Sequence, residues 1–65
     1  MKGSINVLST REKQVMGLLA KGLTYKLIAG DLDISPETVK MHLKNIYRKL
    51  GVQNKVEAII SLRLV

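Results

Sequence analysis

Four times along this chain a small polar residue stands where a helix must begin, and no stretch alternates like a strand over a useful length. Ser9-Thr10-Arg11-Glu12 has the form of a capping box, in which the serine oxygen takes an early backbone N–H and the glutamate reaches back to the cap. Asn54 and Glu57 repeat the pattern. Thr24 opens a second helix and Ser35-Pro36 a third, with proline at the first helical position, where its missing N–H costs nothing. Gly22 and Gly51 follow the first and third helices, where a left-handed residue often ends a helix. This punctuation predicts helices over 10–21, 25–32 and 36–50, and a fourth from the Asn54 cap to about Leu62. The expected fold is all-α: a four-helix domain over residues 8–65, with 1–7 a flexible N-terminal segment.

A short helix, a tight turn at Asp33-Ile34 and a longer basic helix make a helix-turn-helix pattern. Val15, Leu18 and Leu19 of the first helix are expected to face the core, as are Tyr25, Ile28, Ala29 and Leu32 of the second. Ala29 is small enough to let two helices approach, Ile34 plugs the turn inward, and Val39 locks the third helix on the second. At about 100° per residue the third helix has two sides. Val39, Leu43, Ile46 and Leu50 share a narrow arc and form the buried face, while Glu37, Lys40, Met41, Lys44 and Arg48 cluster opposite it.

Charge gives that outer face a meaning. The 65 residues carry 11 Lys and Arg against five Asp and Glu, a net +6, and no acid lies between Glu37 and Glu57 to offset the cations there. Such a balance suits a polyanion, nucleic acid before an anionic membrane surface. A merely solvated face would more often alternate Lys with Glu. Lysine can donate to guanine O6 and N7, and an apolar side chain can meet a thymine methyl. Glu37, Lys40, Met41 and Lys44 are therefore the candidate base readers of a double-stranded DNA partner. Thr24, Lys26, Ser35, Thr38 and Lys49 suit phosphate contacts, although Thr24 and Ser35 are already explained as caps. His42 lies off the centre of the face and reads as a packing or hydrogen-bonding residue and not as a base reader.

Other classes of function find little support. With no cysteine and one histidine, neither a disulfide nor a zinc site is expected, and no cofactor is implied. No nucleophile, acid or phosphate loop accompanies His42, so the chain does not read as an enzyme. There is no apolar run long enough for a membrane span and no signal peptide, and the expected setting is the cytoplasm. The last helix has more apolar surface than one core needs: Ala58, Ile59 and Leu62 form one stripe, and Val56, Ile60 and Leu64 another. The second stripe implies a partner, most simply a second copy in a twofold dimer.

The same residues resemble a known family. Leu8-Ser9-Thr10-Arg11-Glu12, the stretch from Gly22 to Ala29, Ser35-Pro36-Glu37-Thr38-Val39-Lys40-Met41-His42-Leu43, and Lys49-Leu50-Gly51-Val52 followed by Asn54-Lys55-Val56-Glu57-Ala58 are together similar to the LuxR/FixJ-type (GerE-like) helix-turn-helix domain. The resemblance covers nearly the whole chain. It implies a four-helix DNA-binding domain of a bacterial transcriptional regulator that dimerises through its last helix. By position it makes Lys40, Met41 and Lys44 the main base-facing residues, Glu37 a fourth, and Lys26 and Thr38 phosphate contacts. In many members such a domain is the output of a response regulator or similar protein. RNA polymerase and an N-terminal regulatory domain, absent from these 65 residues, are the further partners implied. Two positions depart from the pattern: Leu27 stands where Glu or Gln is common, and Lys55 replaces the usual Arg. Region four of a sigma factor is the nearest rival, though the Lys49-to-Val52 stop followed by a capped helix favours the LuxR type. A protein-interaction module that uses the apolar stripe of the last helix is a rival of another class.

Overall fold

The computed structural model describes residues 7–63, which form four helices: α1 (Thr10–Ala20), α2 (Tyr25–Leu32), α3 (Pro36–Leu50) and α4 (Lys55–Arg63). Each start is secured by the expected cap. The Ser9 hydroxyl accepts from the Glu12 N–H at 3.1 Å, and the Ser9 N–H donates to Glu12 Oε1 at 2.8 Å, a complete reciprocal box. Thr24 accepts from the Leu27 N–H, Ser35 from the Thr38 N–H, and Asn54 Oδ1 from the Glu57 N–H. The second box, at Asn54 and Glu57, differs in one detail from its expected form. Glu57 reaches past Asn54 and accepts instead from the Gln53 N–H at 2.8 Å, so it ties down the loop before the cap.

The three helix ends within the domain share one geometry. A left-handed residue follows each helix closely, Gly22 at φ 95°, Asp33 at φ 58° and Gly51 at φ 71°. The residue after it donates its N–H five positions back: Leu23 to the Leu18 carbonyl, Ile34 to Ala29 and Val52 to Tyr47. These bonds occupy carbonyls that the helix itself leaves bare. Leu23, Ile34 and Val52 then turn inward and pack against the core, which fixes the exit direction of the chain. α1 ends at Ala20, one residue before the expected Lys21, which serves as its C-cap.

Packing centres on α3, which touches each of the other helices. Its Val39, Leu43, Ile46 and Leu50 are buried, as the wheel predicts, and they meet Val15, Met16 and Leu19 of α1 and Ile28 and Ala29 of α2 in one cluster with Leu8 and Ala58. At about 1.5–3 kcal/mol for each large apolar side chain removed from water, this single cluster is the main source of stability. Ile59 and Leu62 of α4 pack against it from one side. Val56 and Ile60 point away and stay 60% and 49% exposed. Leu64, placed with them by the sequence, lies outside the described residues, as does the segment 1–6.

Two core expectations change. Tyr25 was expected on the buried stripe of α2 but is exposed, because as the first residue of the helix it lies past the edge of the cluster. Met16 fills a fully buried place that the first-helix stripe did not include. Among the described residues no helix is long and apolar enough to cross a membrane, and no group of His, Asp and Glu is gathered where a metal ion could sit.

Candidate nucleic-acid interface

The buried arc of α3 fixes what its other side presents. With Val39, Leu43, Ile46 and Leu50 held in the core, Glu37, Lys40, Met41, Lys44 and Arg48 are all left exposed on the outward face. Met41 is 62% exposed and sets an apolar side chain among the cations of this face. The cations beside it are unneutralised: Lys49 with Glu12 is the one ion pair among the described residues. All four predicted base readers therefore share one surface. Glu37 sits in the first turn, where the helix dipole favours an anion.

The predicted phosphate contacts stand at the amino end of α3, at the amino end of α2 and, for Lys49, in the last turn of α3. Ser35 and Thr38 stand at its amino end. The Ser35 hydroxyl accepts from the Thr38 N–H at 3.1 Å and exchanges a 2.9 Å hydrogen bond with the Thr38 hydroxyl. One donates to the other, so one hydroxyl hydrogen of the pair stays available for an external oxygen. Thr24 is the N-cap of α2, and Lys26 stands in its first turn. Thr24 accepts from the Leu27 N–H, and its own hydroxyl hydrogen is likewise left to donate. Capping uses the oxygen of each hydroxyl and does not consume its hydrogen.

Lys49 is placed differently from the rest. Its Nζ lies 2.8 Å from Glu12 Oε1, on the flank of α3 that meets α1. Glu12 is 5% exposed, the one buried charged residue in the described chain. Burial would raise its carboxyl pKa, but the Lys49 hydrogen bond, the Ser9 N–H, the Lys49 charge and the Ser9 hydroxyl together hold it below the ordinary value. A contact 37 residues apart in sequence has no periodic signature, and only the buried position of Glu12 announces it. A second feature absent from the sequence reading is Tyr47. Its hydroxyl is buried without a hydrogen-bond partner among the described residues, and burial and the neighbouring Tyr25 phenol push its pKa up.

A shallow cleft of about 300 Å³ opens between α1 and α2, lined by Gln14, Gly17, Leu18, Lys21, Asp31 and Leu32. It shares no residue with the surface described above.

Comparison with known proteins agrees with this geometry. Residues 6–62 match the family described as bacterial regulatory proteins, luxR family. The HTH-type transcriptional regulator MalT of Klebsiella pneumoniae is 44% identical over 52 residues, 80% of this chain and 6% of MalT. The nitrate/nitrite response regulator protein NarL of Escherichia coli K12 is 41% identical over 56 residues, 86% of this chain and 26% of NarL. The solved structure of the response regulator StyR superimposes with a TM-score of 0.84 at 40% identity, covering 89% of this chain and 29% of StyR. The chain thus spans less than a third of each of these relatives. The family match also decides between the two helix-turn-helix readings that the sequence left open. With four helices in the family's order, and the match running through all of them, this chain belongs to the luxR family of bacterial regulatory proteins as its helix-turn-helix domain.

Proposed function

We propose that the chain reads double-stranded DNA by seating α3 in the major groove, and that it does so as a twofold dimer joined through α4. One observation carries the reading: Lys40, Met41 and Lys44 are exposed together on α3, outside its buried apolar arc. A helix fits the major groove, which is about 12 Å wide, and there lysine and an apolar group have matching partners on base edges. Thr24 and Lys26 at the amino end of α2 and Ser35 and Thr38 at that of α3 would hold the DNA backbone. The luxR membership supports a role in regulating bacterial transcription, in the cytoplasm, as the output part of a response regulator or a comparable regulator. Val56 and Ile60, exposed on the outer side of α4, support the dimer.

Selection from a random-sequence duplex pool at two salt concentrations tests this reading. The expected result is an enriched pseudo-palindrome whose affinity falls steeply with salt. Lys40→Ala or Lys44→Ala should then weaken the selected site by about 1–3 kcal/mol and relax the preference at one base position. Lys26→Ala should weaken all sequences alike. Binding that is absent at low salt would move the assignment to a protein-interaction module using the α4 stripe.

A further inference from the structure

Two neighbouring cations at the end of α3 have different surroundings, and the difference bears on which of them meets DNA. Lys49 faces α1 and is held by Glu12 at 2.8 Å. Arg48, one residue earlier, is exposed and has no carboxylate partner among the described residues. On the helix wheel Arg48 lies about 20° from Met41 and about 40° from Lys44, whereas Lys49 is turned about 100° further round. Arg48 therefore continues the outward stripe, and Lys49 leaves it.

From these placements we infer that Arg48, and not Lys49, is the phosphate-binding cation at the carboxyl end of α3, and that Lys49 positions the helix by fastening it to Glu12. The inference rests on the DNA-binding reading above. Its geometry follows from length. Seven residues separate Met41 from Arg48, a rise of about 10 Å, close to the groove width of about 12 Å. A helix that presses Met41 against base edges carries Arg48 to the rim of the groove, where the phosphates stand. At that rim the planar guanidinium of Arg48 can take two phosphate oxygens at once. Lys49 has its ammonium against a buried carboxylate, where it neutralises a charge that would otherwise be costly to keep inside the fold.

The experiment measures affinity for a random-sequence duplex of about 20 base pairs across a salt series beginning near 50 mM, with the plot of log K against log salt as the readout. Arg48→Ala should flatten the slope by about 0.9, the value of one phosphate contact. Arg48→Lys should restore most of the slope. Lys49→Met combined with Glu12→Gln keeps the net charge, removes the ion pair without leaving a buried carboxylate, and should keep the parent slope. Circular dichroism and thermal melts confirm that each variant is folded. On a duplex selected from the random pool, Arg48→Ala should weaken matched and mismatched sequences by the same factor. A parent-like slope for Arg48→Ala, a loss of about 0.9 in the double variant, or altered base preference in Arg48→Ala would each overturn the assignment. A parent chain that fails to bind the duplex at the lowest salt refutes the DNA-binding reading itself, and this inference with it.

Discussion

Glu12 closes the capping box of α1 and, with the same Oε1 atom, receives the Lys49 ammonium from the far end of α3. Burial works against its charge, and four favourable contacts outweigh burial, leaving its pKa below the ordinary value. A carboxyl with a folded-state pKa below its unfolded value stabilises the fold above the unfolded pKa, and the contribution disappears as pH falls through the folded value. Glu12→Gln should therefore cost about 1–3 kcal/mol near neutral pH, toward the lower end because Lys49 is 41% exposed and partly screened by solvent. For a domain of this size each kcal/mol corresponds to about 4–8 °C in Tm. Thermal melts from neutral to about pH 2 should show the gap between parent and variant closing on the acid side. Parallel curves across that range would show that the ion pair contributes nothing to the fold. Half of this residue's role was legible in the sequence: Ser9 and Glu12 are three positions apart, and a cap is a local device. The other half joins residues 12 and 49, and no local rule links them. The outward face of α3 was legible throughout, since Lys40, Met41 and Lys44 follow from where the wheel buries Val39 and Ile46.

At the level of helices, three successive stops are built alike, yet one uses an aspartate where the other two use glycine. Asp33 at φ 58° bears the steric strain of a left-handed residue with a Cβ, about 1 kcal/mol for a side chain that tolerates the region. Asp33→Gly should relieve it and stabilise the domain by a net of about 0.5 kcal/mol, reduced by the entropy that glycine adds to the unfolded chain. Gly51→Ala imposes the same strain at φ 71° and should destabilise by about 1–2 kcal/mol. Nothing obstructs a Cβ at Gly51, so the cost is one of backbone conformation alone. Urea unfolding of the two variants measures both signs, and changes of the same sign would show that the stops are not equivalent. The sequence marked Gly22 and Gly51 as stops because glycine announces a left-handed residue. Asp33 announced only a turn, since aspartate serves many turn types. Tyr25 was misplaced for a related reason: periodicity assigns a side of a helix but does not say where the core ends along it.

At the scale of the whole molecule, α4 uses its two sides differently: Ala58, Ile59 and Leu62 against the core, Val56 and Ile60 toward solvent. Nine residues at about 1.5 Å each make a helix about 13 Å long. The two exposed apolar side chains among its described residues fall, by themselves, well short of the roughly 600–1,000 Å² per partner of a stable interface. The α4 contact is therefore expected to be weak between free chains and to form when one DNA site holds two copies together. Two half-sites about one helical turn apart raise the effective concentration of one copy for the other, and a weak contact then appears as cooperative binding. Ile60→Asp places a charge in the proposed interface while leaving the core untouched, since Ile60 is already half exposed in the single chain. It should change stability by no more than about 0.5 kcal/mol, keep the affinity for a single half-site, and abolish the cooperativity on paired half-sites. Titration of one-site and two-site duplexes with parent and variant separates these effects. Equal cooperativity in both would place the dimer contact away from α4. A loss on the single half-site as well would mean that Ile60 supports the fold of α3 and does not bridge two copies.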